Sequence, residues 1–194
     1  MKKYIFIITA LFILVNNSHA QQKKSAIKFS SINSVGFLNG QSQTSFTMQT
    51  INGIKYKTWF AGLGASLDNY GYRSIPAFVD VRKTLGNKTW QPLMYADAGI
   101  NFPIYSSVLP RKQWGNDANK FYNTLYYETG IGLSKSINTK TKFILSVGYS
   151  FKHFSYLQYY NLFMSPIIWG SGYNYSSQYD FYYRRLSIKM GLQF

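Results

Sequence analysis

Apolar and polar residues alternate with a period of two along most of the chain. The clearest case is the last segment, where Leu186, Ile188, Met190, Leu192 and Phe194 alternate with polar or small residues. Successive side chains of a strand point to opposite faces, so this segment has one apolar face and one polar face. Such a strand suits the wall of a membrane β-barrel, because the outer face meets lipid and the inner face meets a polar lumen.

The alternation and the turn residues between its segments predict eight strands. They are expected at about 25–38, 43–51, 54–67, 74–85, 89–104, 121–137, 142–158 and 179–194. Short turns are expected at Asn52-Gly53, which is a strong hairpin signal, at Gly86-Asn87-Lys88 and at 138–141. The alternate connections are 39–42, 68–73, 105–120 and 159–178, of which the last two are long.

Short turns at one end and longer loops at the other are typical of bacterial outer-membrane barrels, with both termini in the periplasm. We therefore predict an all-β, antiparallel, up-and-down transmembrane barrel of eight strands. The alternative is a soluble antiparallel sandwich, whose strands would alternate in the same way.

The amino terminus predicts export from the cytoplasm. Lys2 and Lys3 precede a short apolar run that ends at Val15, and Ser18-His19-Ala20 offers small residues for cleavage. This order is typical of a secretory signal peptide, which we place at 1–20, leaving 21–194 as one barrel domain. The apolar run is shorter than the roughly 20 residues that a membrane-spanning helix needs. The sequence contains no cysteine, which excludes disulfides, thiolate metal sites and a thiol nucleophile.

Aromatic content and charge point to a membrane surface. The chain has 18 Tyr, 15 Phe and 4 Trp, which fits the aromatic girdles at the two rims of a membrane barrel. Its formal net charge of +15 could indicate a nucleic-acid partner. Because the chain is expected to be exported, anionic lipid headgroups and lipopolysaccharide are the expected partners, with no nucleic acid.

The chain resembles the small eight-stranded outer-membrane barrels of the OmpA/OmpX type, within the broad porin-like "outer membrane β-barrel domain" family. The likeness rests on Ser74-Ile75-Pro76, Tyr95-Ala96-Asp97-Ala98-Gly99, Gly130-Ile131-Gly132, Val147-Gly148-Tyr149 and Gly191-Leu192-Gln193-Phe194. The last of these resembles the signal read by the barrel-assembly machinery, with Gly191, Leu192 and Phe194 as its residues. The resemblance implies fold and an outer-membrane location, and it implies no catalytic residues.

Charged residues on the predicted inner faces define a lumen network. Its members are Asp80, Arg82, Asp97, Glu128, Lys152, Arg185 and Lys189. An eight-stranded barrel is only wide enough inside for its own side chains, and buried charges must be paired. We therefore expect a plug of ion pairs, with a narrow ion channel as the alternative.

His153 and Ser155 lie two residues apart and hence on one face near the outer rim, and Asp180 begins the last strand. Histidine, hydroxyl and carboxylate together can form an acyl-transfer triad. The His-x-Ser pattern resembles that of the PagL-like lipid A deacylases. Here, however, Tyr156-Leu157 follows the serine where that family has Asn and a small residue, and Ile167 stands near the place of its glutamate.

The function that we expect is non-enzymatic. No metal site and no cofactor is predicted. The barrel would serve as a structural or interaction module, as a subunit of a larger outer-membrane assembly with other outer-membrane proteins. Small residues on the predicted outer faces of three neighbouring strands are a candidate docking wall, because small side chains allow close approach. They are Ala61, Ala65, Ala77, Ala96 and Ala98. The alternatives are a lipid A-modifying acyl hydrolase and a narrow ion channel.

Overall fold

The computed structural model describes residues 27–86, 89–104, 120–161 and 174–194. The predicted signal peptide lies outside these ranges. The described residues form nine strand segments, all antiparallel to their neighbours. They are β1 (Ile27–Gly40), β2 (Thr44–Tyr56), β3 (Trp59–Asp68), β4 (Ser74–Thr84), β5 (Trp90–Pro103), β6 (Lys120–Tyr122), β7 (Thr124–Ser136), β8 (Lys142–Asn161) and β9 (Asn174–Gln193).

The strands close into an eight-stranded barrel. Each of β1 to β4 pairs with the next strand, β5 pairs with β7, β7 with β8, and β8 with β9. Closure comes from the pairing of β9 with β1, in which Val35 faces Met190 and Phe37 faces Ile188. The predicted all-β, antiparallel, up-and-down barrel is confirmed. A closed sheet leaves no edge whose unpaired backbone groups would face hydrocarbon.

The sixth strand of the barrel consists of β6 and β7, which are separated at Asn123. Tyr126 pairs with Lys152 of β8, whereas Tyr122 pairs with Ser155. The register therefore shifts by one residue, which is the signature of a β-bulge. In the shifted register, Phe121 of β6 lies directly opposite Tyr156 of β8.

The two faces of each strand are those that the alternation predicts. The large apolar side chains of the strands mostly point outward and are exposed, as at Leu63, Ile131 and Met190, whose exposed fractions are 69%, 70% and 51%. The buried charged side chains face inward, and Asp80 and Lys152 are each 0% exposed. A protein with apolar groups outside and charges inside is stable in hydrocarbon rather than in water.

The predicted turn at Asn52-Gly53 is wrong. Both residues lie within β2, where Gly53 pairs with Ser30 on one side and Gly62 on the other. The chain turns at 57–58 instead, and Lys57 adopts a φ of 53°. Gly53 is required by close packing, because a Cβ there would lie 2.2 Å from the carbonyl oxygen of Ala61.

The last two strands are longer than predicted. Their pairing extends to Asn161 opposite Asn174, so the connection expected at 159–178 is confined to 162–173. The expected loop at 105–120 lies almost wholly outside the described residues. Asp68, which was assigned to a connection, is the last residue of β3 and faces the lumen.

Candidate functional site

The middle of the lumen is organised around Glu128, which is 1% exposed. Its carboxylate forms an ion pair with Lys189, with 2.7 Å between Nζ and Oε1. The hydroxyls of Tyr95 and Ser187 each donate to Oε1 at 2.7 Å, and that of Tyr126 donates to Oε2 at 3.0 Å. Four donors therefore satisfy this carboxylate, as burial of a charge requires.

Three acidic residues form a row across β4, β5 and β7. Asp80 lies directly opposite Asp97, and Asp97 directly opposite Glu128. Like charges in such positions repel each other, so cations must lie beside them. Arg82 Nε donates to both oxygens of Asp80, at 2.8 and 3.0 Å, and Gln49 donates to Asp97 at 3.4 Å.

A second ion cluster lies nearer the long-loop end. Asp68 pairs with Arg185 and also with Lys152, at 3.2 Å from Nζ. Lys152 Nζ further donates to the carbonyl oxygens of Tyr70 and Tyr72, at 2.8 and 3.0 Å. Each of the three ionic side chains is at most 2% exposed.

The sequence analysis missed Asp68, although the alternation places it on the same face as Ser66. With Asp68 included, the buried charged side chains of the described lumen are four acids and four bases. The acids are Asp68, Asp80, Asp97 and Glu128, and the bases are Arg82, Lys152, Arg185 and Lys189. The structure thus brings all seven predicted network residues into the lumen and adds the carboxylate that balances their charge.

Aromatic rings fill the lumen above this second cluster, at the long-loop end. Tyr72 stacks on Phe154 with 4.4 Å between centroids, and it also contacts Tyr156 and Phe181. Phe121 contacts Phe154 and Tyr156. We call these five residues, Tyr72, Phe121, Phe154, Tyr156 and Phe181, the aromatic lid. The sequence analysis assigned the abundant aromatic residues to the rims and did not anticipate a lid inside the barrel.

The structure brings His153, Ser155 and Asp180 together on the outer surface at the long-loop rim. His153 Nε2 lies 2.9 Å from Asp180 Oδ1, and Ser155 is directly opposite Asp180 on the neighbouring strand. Gln178 Nε2 donates to Asp180 Oδ2 at 3.2 Å and to Ser155 Oγ at 3.3 Å. These residues line a cavity of about 510 Å³ next to the bulge at Asn123.

The order of contacts in this cluster differs from that of an acyl-transfer triad. In a triad the histidine lies between the hydroxyl and the carboxylate. Here the carboxylate of Asp180 lies between the serine hydroxyl and the histidine, because it contacts both Ser155 and His153. These hydrogen bonds lower the pKa of Asp180. The His153 ring stacks on Tyr182, with 4.7 Å between centroids.

Small and polar side chains form a row on the outer wall across β1 to β4. The register places Asn33 opposite Thr50, Thr50 opposite Ala65, and Ala65 opposite Ala77. The Thr50 hydroxyl donates to Asn33 Oδ1 at 2.8 Å. Asn52 is also exposed on this wall, next to Thr50 on the same face of β2. We call the face formed by Asn33, Thr50, Asn52, Ala65 and Ala77 the polar wall.

The other predicted wall alanines adjoin this face. Ala61, Ala96 and Ala98 are exposed on β3 and β5, and Val81 lies between Ala61 and Ala96 in the register. All five alanines of the predicted docking wall therefore lie on the outside of three neighbouring strands. Ala65 is half-buried.

The residues that resemble an assembly signal are at the end of β9. Leu192 and Phe194 are exposed on the outer wall, and their exposed fractions are 38% and 54%. Gly191 packs tightly against β1, because a Cβ there would lie 2.5 Å from the carbonyl oxygen of Asn33.

Lysines at the short-turn end divide between the wall and the lumen. Lys83 and Lys135 lie over the rings of Trp59 and Trp90, at 4.9 and 5.0 Å from the ring centroids. These aromatic and basic side chains suit the boundary between lipid and water. Lys142 donates to Gln91 Oε1 at 2.8 Å from the inner side of its strand.

Within the described ranges, no group of three or more His, Cys, Asp or Glu side chains is placed to hold a metal ion. Among the same residues, no helix is long and apolar enough to cross a membrane.

Comparison with known proteins identifies the fold. No family model and no curated protein sequence matches the chain. The outer membrane protein OprG from Pseudomonas aeruginosa is similar in structure, with a TM-score of 0.53 and 12% identity over 86% of this chain and 95% of that one. Neisserial surface protein A has a TM-score of 0.50 and 10% identity, over 87% of this chain and 96% of that one. The chain therefore has the fold of the small eight-stranded outer-membrane barrels, as its sequence motifs predicted.

Proposed function

We propose that the protein is a non-enzymatic outer-membrane barrel that docks another outer-membrane protein through the polar wall. The short turns and the carboxyl terminus would face the periplasm, and the long loops would face outward. The fold of the similar structures and the apolar outer surface support the membrane location. The carrying observation is the polar wall itself, because it lies on the surface that faces lipid.

The polar wall is surrounded by apolar side chains of the same outer surface. Val35 and Met48 lie on its long-loop side, and Phe29 and Ile54 lie on its short-turn side, all of them exposed. The row is thus within the hydrocarbon band rather than at a rim. In the described part of the chain, neither the Asn52 side chain nor the Asn33 amide nitrogen donates a hydrogen bond.

An amide without a hydrogen-bond partner is unfavourable in hydrocarbon by several kcal/mol. A second protein with polar groups at this depth would provide partners for Asn33 and Asn52. The small side chains of Ala65 and Ala77 would let its backbone come close, as small residues do between membrane helices. Amides and alanines in one row therefore favour a protein partner over a lipid chain.

The packed interior of the barrel favours a function that is carried by its outer surface. The ion clusters and the aromatic lid fill the middle and the long-loop end of the described lumen with charged side chains and packed rings. An eight-stranded barrel has no spare interior width for a diffusion pore.

The test is purification of the tagged protein from its native membranes in mild detergent, with co-purifying species identified by mass spectrometry. The wild type should retain a stoichiometric protein partner. The N33L/T50V/N52L variant should lose it, since the amides that the partner satisfies are gone. Thr129→Val is the matched control, because Thr129 is an exposed hydroxyl on the opposite part of the wall. A wild-type barrel that carries only lipid would refute the proposal.

A second variant tests whether the backbone of the partner lies close to the outer wall of the barrel. In A77W/A96W, two bulky rings stand on the outer surface of neighbouring strands and separate the partner's backbone from the wall. The partner should be lost while the barrel itself folds normally. An assembly that survives this variant would contradict docking through this face.

A further inference from the structure

Five lysines surround one opening of the barrel, at the end that carries the short turns. Lys28, Lys55 and Lys142 belong to β1, β2 and β8, and Lys57 and Lys140 belong to the turns. They line a cavity of about 1310 Å³, which we call the lysine mouth. Ligand pockets in proteins typically have volumes of about 300–1,000 Å³, so the mouth has room for a small multivalent ligand.

The lysines of the mouth repel one another. Lys28 and Lys55 are directly opposite each other in the pairing of β1 with β2. Lys55 also interacts with Lys142 across the mouth. Like charges in directly opposed positions destabilise a sheet, so this arrangement is unfavourable unless an anion lies between them.

The described protein provides little negative charge at this place. Four of the described acids belong to the lumen clusters, and Asp180 lies on the outer wall at the other end. Phe194 lines the mouth, but its carbonyl oxygen already accepts from Ser30 Oγ at 2.8 Å and from the Ser31 amide at 3.1 Å.

An apolar layer separates the lysine mouth from the ion clusters. Ile32, Ile51 and Ile144 lie deeper in the barrel than the mouth lysines of the same three strands and are at most 4% exposed. They pack with Phe60 and Leu93 in one buried cluster. The carboxylates of the lumen therefore cannot compensate the positive charge of the lysines. We call this apolar layer, which closes the inner end of the mouth, the apolar floor.

We propose that the lysine mouth is a binding site for a small multivalent anion that carries phosphate groups. Lysine binds phosphate as a compact point charge, whereas arginine favours planar, bidentate recognition. The mouth has lysines and no arginine among its described lining residues. Hydroxyls of Thr139 and Thr141 lie in the same lining and can donate to phosphate oxygens.

The test measures binding of tripolyphosphate to the purified full-length barrel in neutral detergent by isothermal titration calorimetry. The wild type should bind saturably with a stoichiometry of one. K28Q/K55Q should bind at least about tenfold more weakly, because it removes two of the five ammonium groups that line the mouth. K83Q/K135Q is the matched control, because it removes the same charge from the outer wall at the same end.

Three results would overturn the proposal. The first is the absence of saturable binding to the wild type. The second is an equal loss in K83Q/K135Q, which would show general attraction to a basic protein. The third is citrate binding as tight as that of tripolyphosphate, which would contradict the assignment to phosphate. If the K28Q/K55Q barrel does not fold, Lys142→Gln provides the same test from β8.

Phosphate could come from a soluble compound or from a phospholipid headgroup, and a second arm distinguishes them. The titration is repeated in nanodiscs of phosphatidylcholine alone and with phosphatidylglycerol. A wild-type affinity that falls with phosphatidylglycerol, with no such fall in K28Q/K55Q, would assign the site to a headgroup. An unchanged affinity would assign it to a soluble phosphate compound.

Discussion

Replacement of Asp68 by Asn tests whether the ion cluster at the long-loop end stabilises the barrel. Asp68 is the one acid that contacts both Lys152 and Arg185, and all three side chains are buried. The change keeps the shape of the side chain and removes its charge. Lys152 retains the carbonyl oxygens of Tyr70 and Tyr72 and the hydroxyl of Ser74.

In D68N, the buried charge of Arg185 keeps fewer hydrogen-bond acceptors than that of Lys152. Its remaining hydrogen-bond partner is Ser150 Oγ, at 2.8 Å from Nη2, and its Nε already has no hydrogen-bond partner in the described protein. Removal of one member of a buried ion pair costs about 3–5 kcal/mol, because the other charge is left uncompensated. We expect D68N to lose about that much free energy of unfolding.

The assay is urea-induced unfolding in detergent micelles, followed by tryptophan fluorescence. A double-mutant cycle with R185Q separates the pair from the individual residues. D68N/R185Q should be more stable than the sum of the two single changes predicts, since it removes both charges. Asp180→Asn, on the exposed rim, is the control and should change stability far less. If D68N unfolds at the wild-type urea concentration, or if the two changes are additive, the reasoning is refuted.

Three further predictions concern chemistry, conduction and assembly. Ser155→Ala should leave the acyl pattern of lipid A unchanged in mass spectra, since Asp180 rather than His153 contacts the hydroxyl. A changed pattern would instead support the alternative function as an acyl hydrolase. The wild type should give no conductance steps in planar bilayers, because ion pairs and the aromatic lid fill the lumen, and regular steps would contradict this. Gly99→Ala should reduce the heat-modifiable folded band on gels, since its Cβ would lie 2.0 Å from the carbonyl oxygen of Ala77. Gly86→Ala, in open space at a φ of +76°, should reduce the band much less.

The alternation of the sequence was sufficient to predict the barrel and the face of each strand. A period of two assigns every side chain to lipid or lumen once a single strand is oriented, and closure follows from an even number of such strands. For this reason the inward positions of Asp80, Asp97 and Glu128 followed from their neighbours alone. The same reasoning applied one residue further along β3 would have found Asp68.

What could not be predicted depends on contacts between distant parts of the chain. Gly53 serves close packing against Ala61 rather than a turn, and only the register of β2 with β3 shows this. The bulge at Asn123 and the aromatic lid likewise depend on how β6 meets β8. The order of contacts around Asp180 depends on side-chain directions that residue spacing does not specify.

The apolar floor beneath the lysine mouth makes the mouth a cup rather than a passage. A bound anion would have to leave by the opening through which it entered, so it would exchange with one compartment only. Its occupancy would then depend on the concentration on that side and would be independent of any gradient across the membrane. Such a cup can report the presence of a solute or retain it, but it cannot transport it.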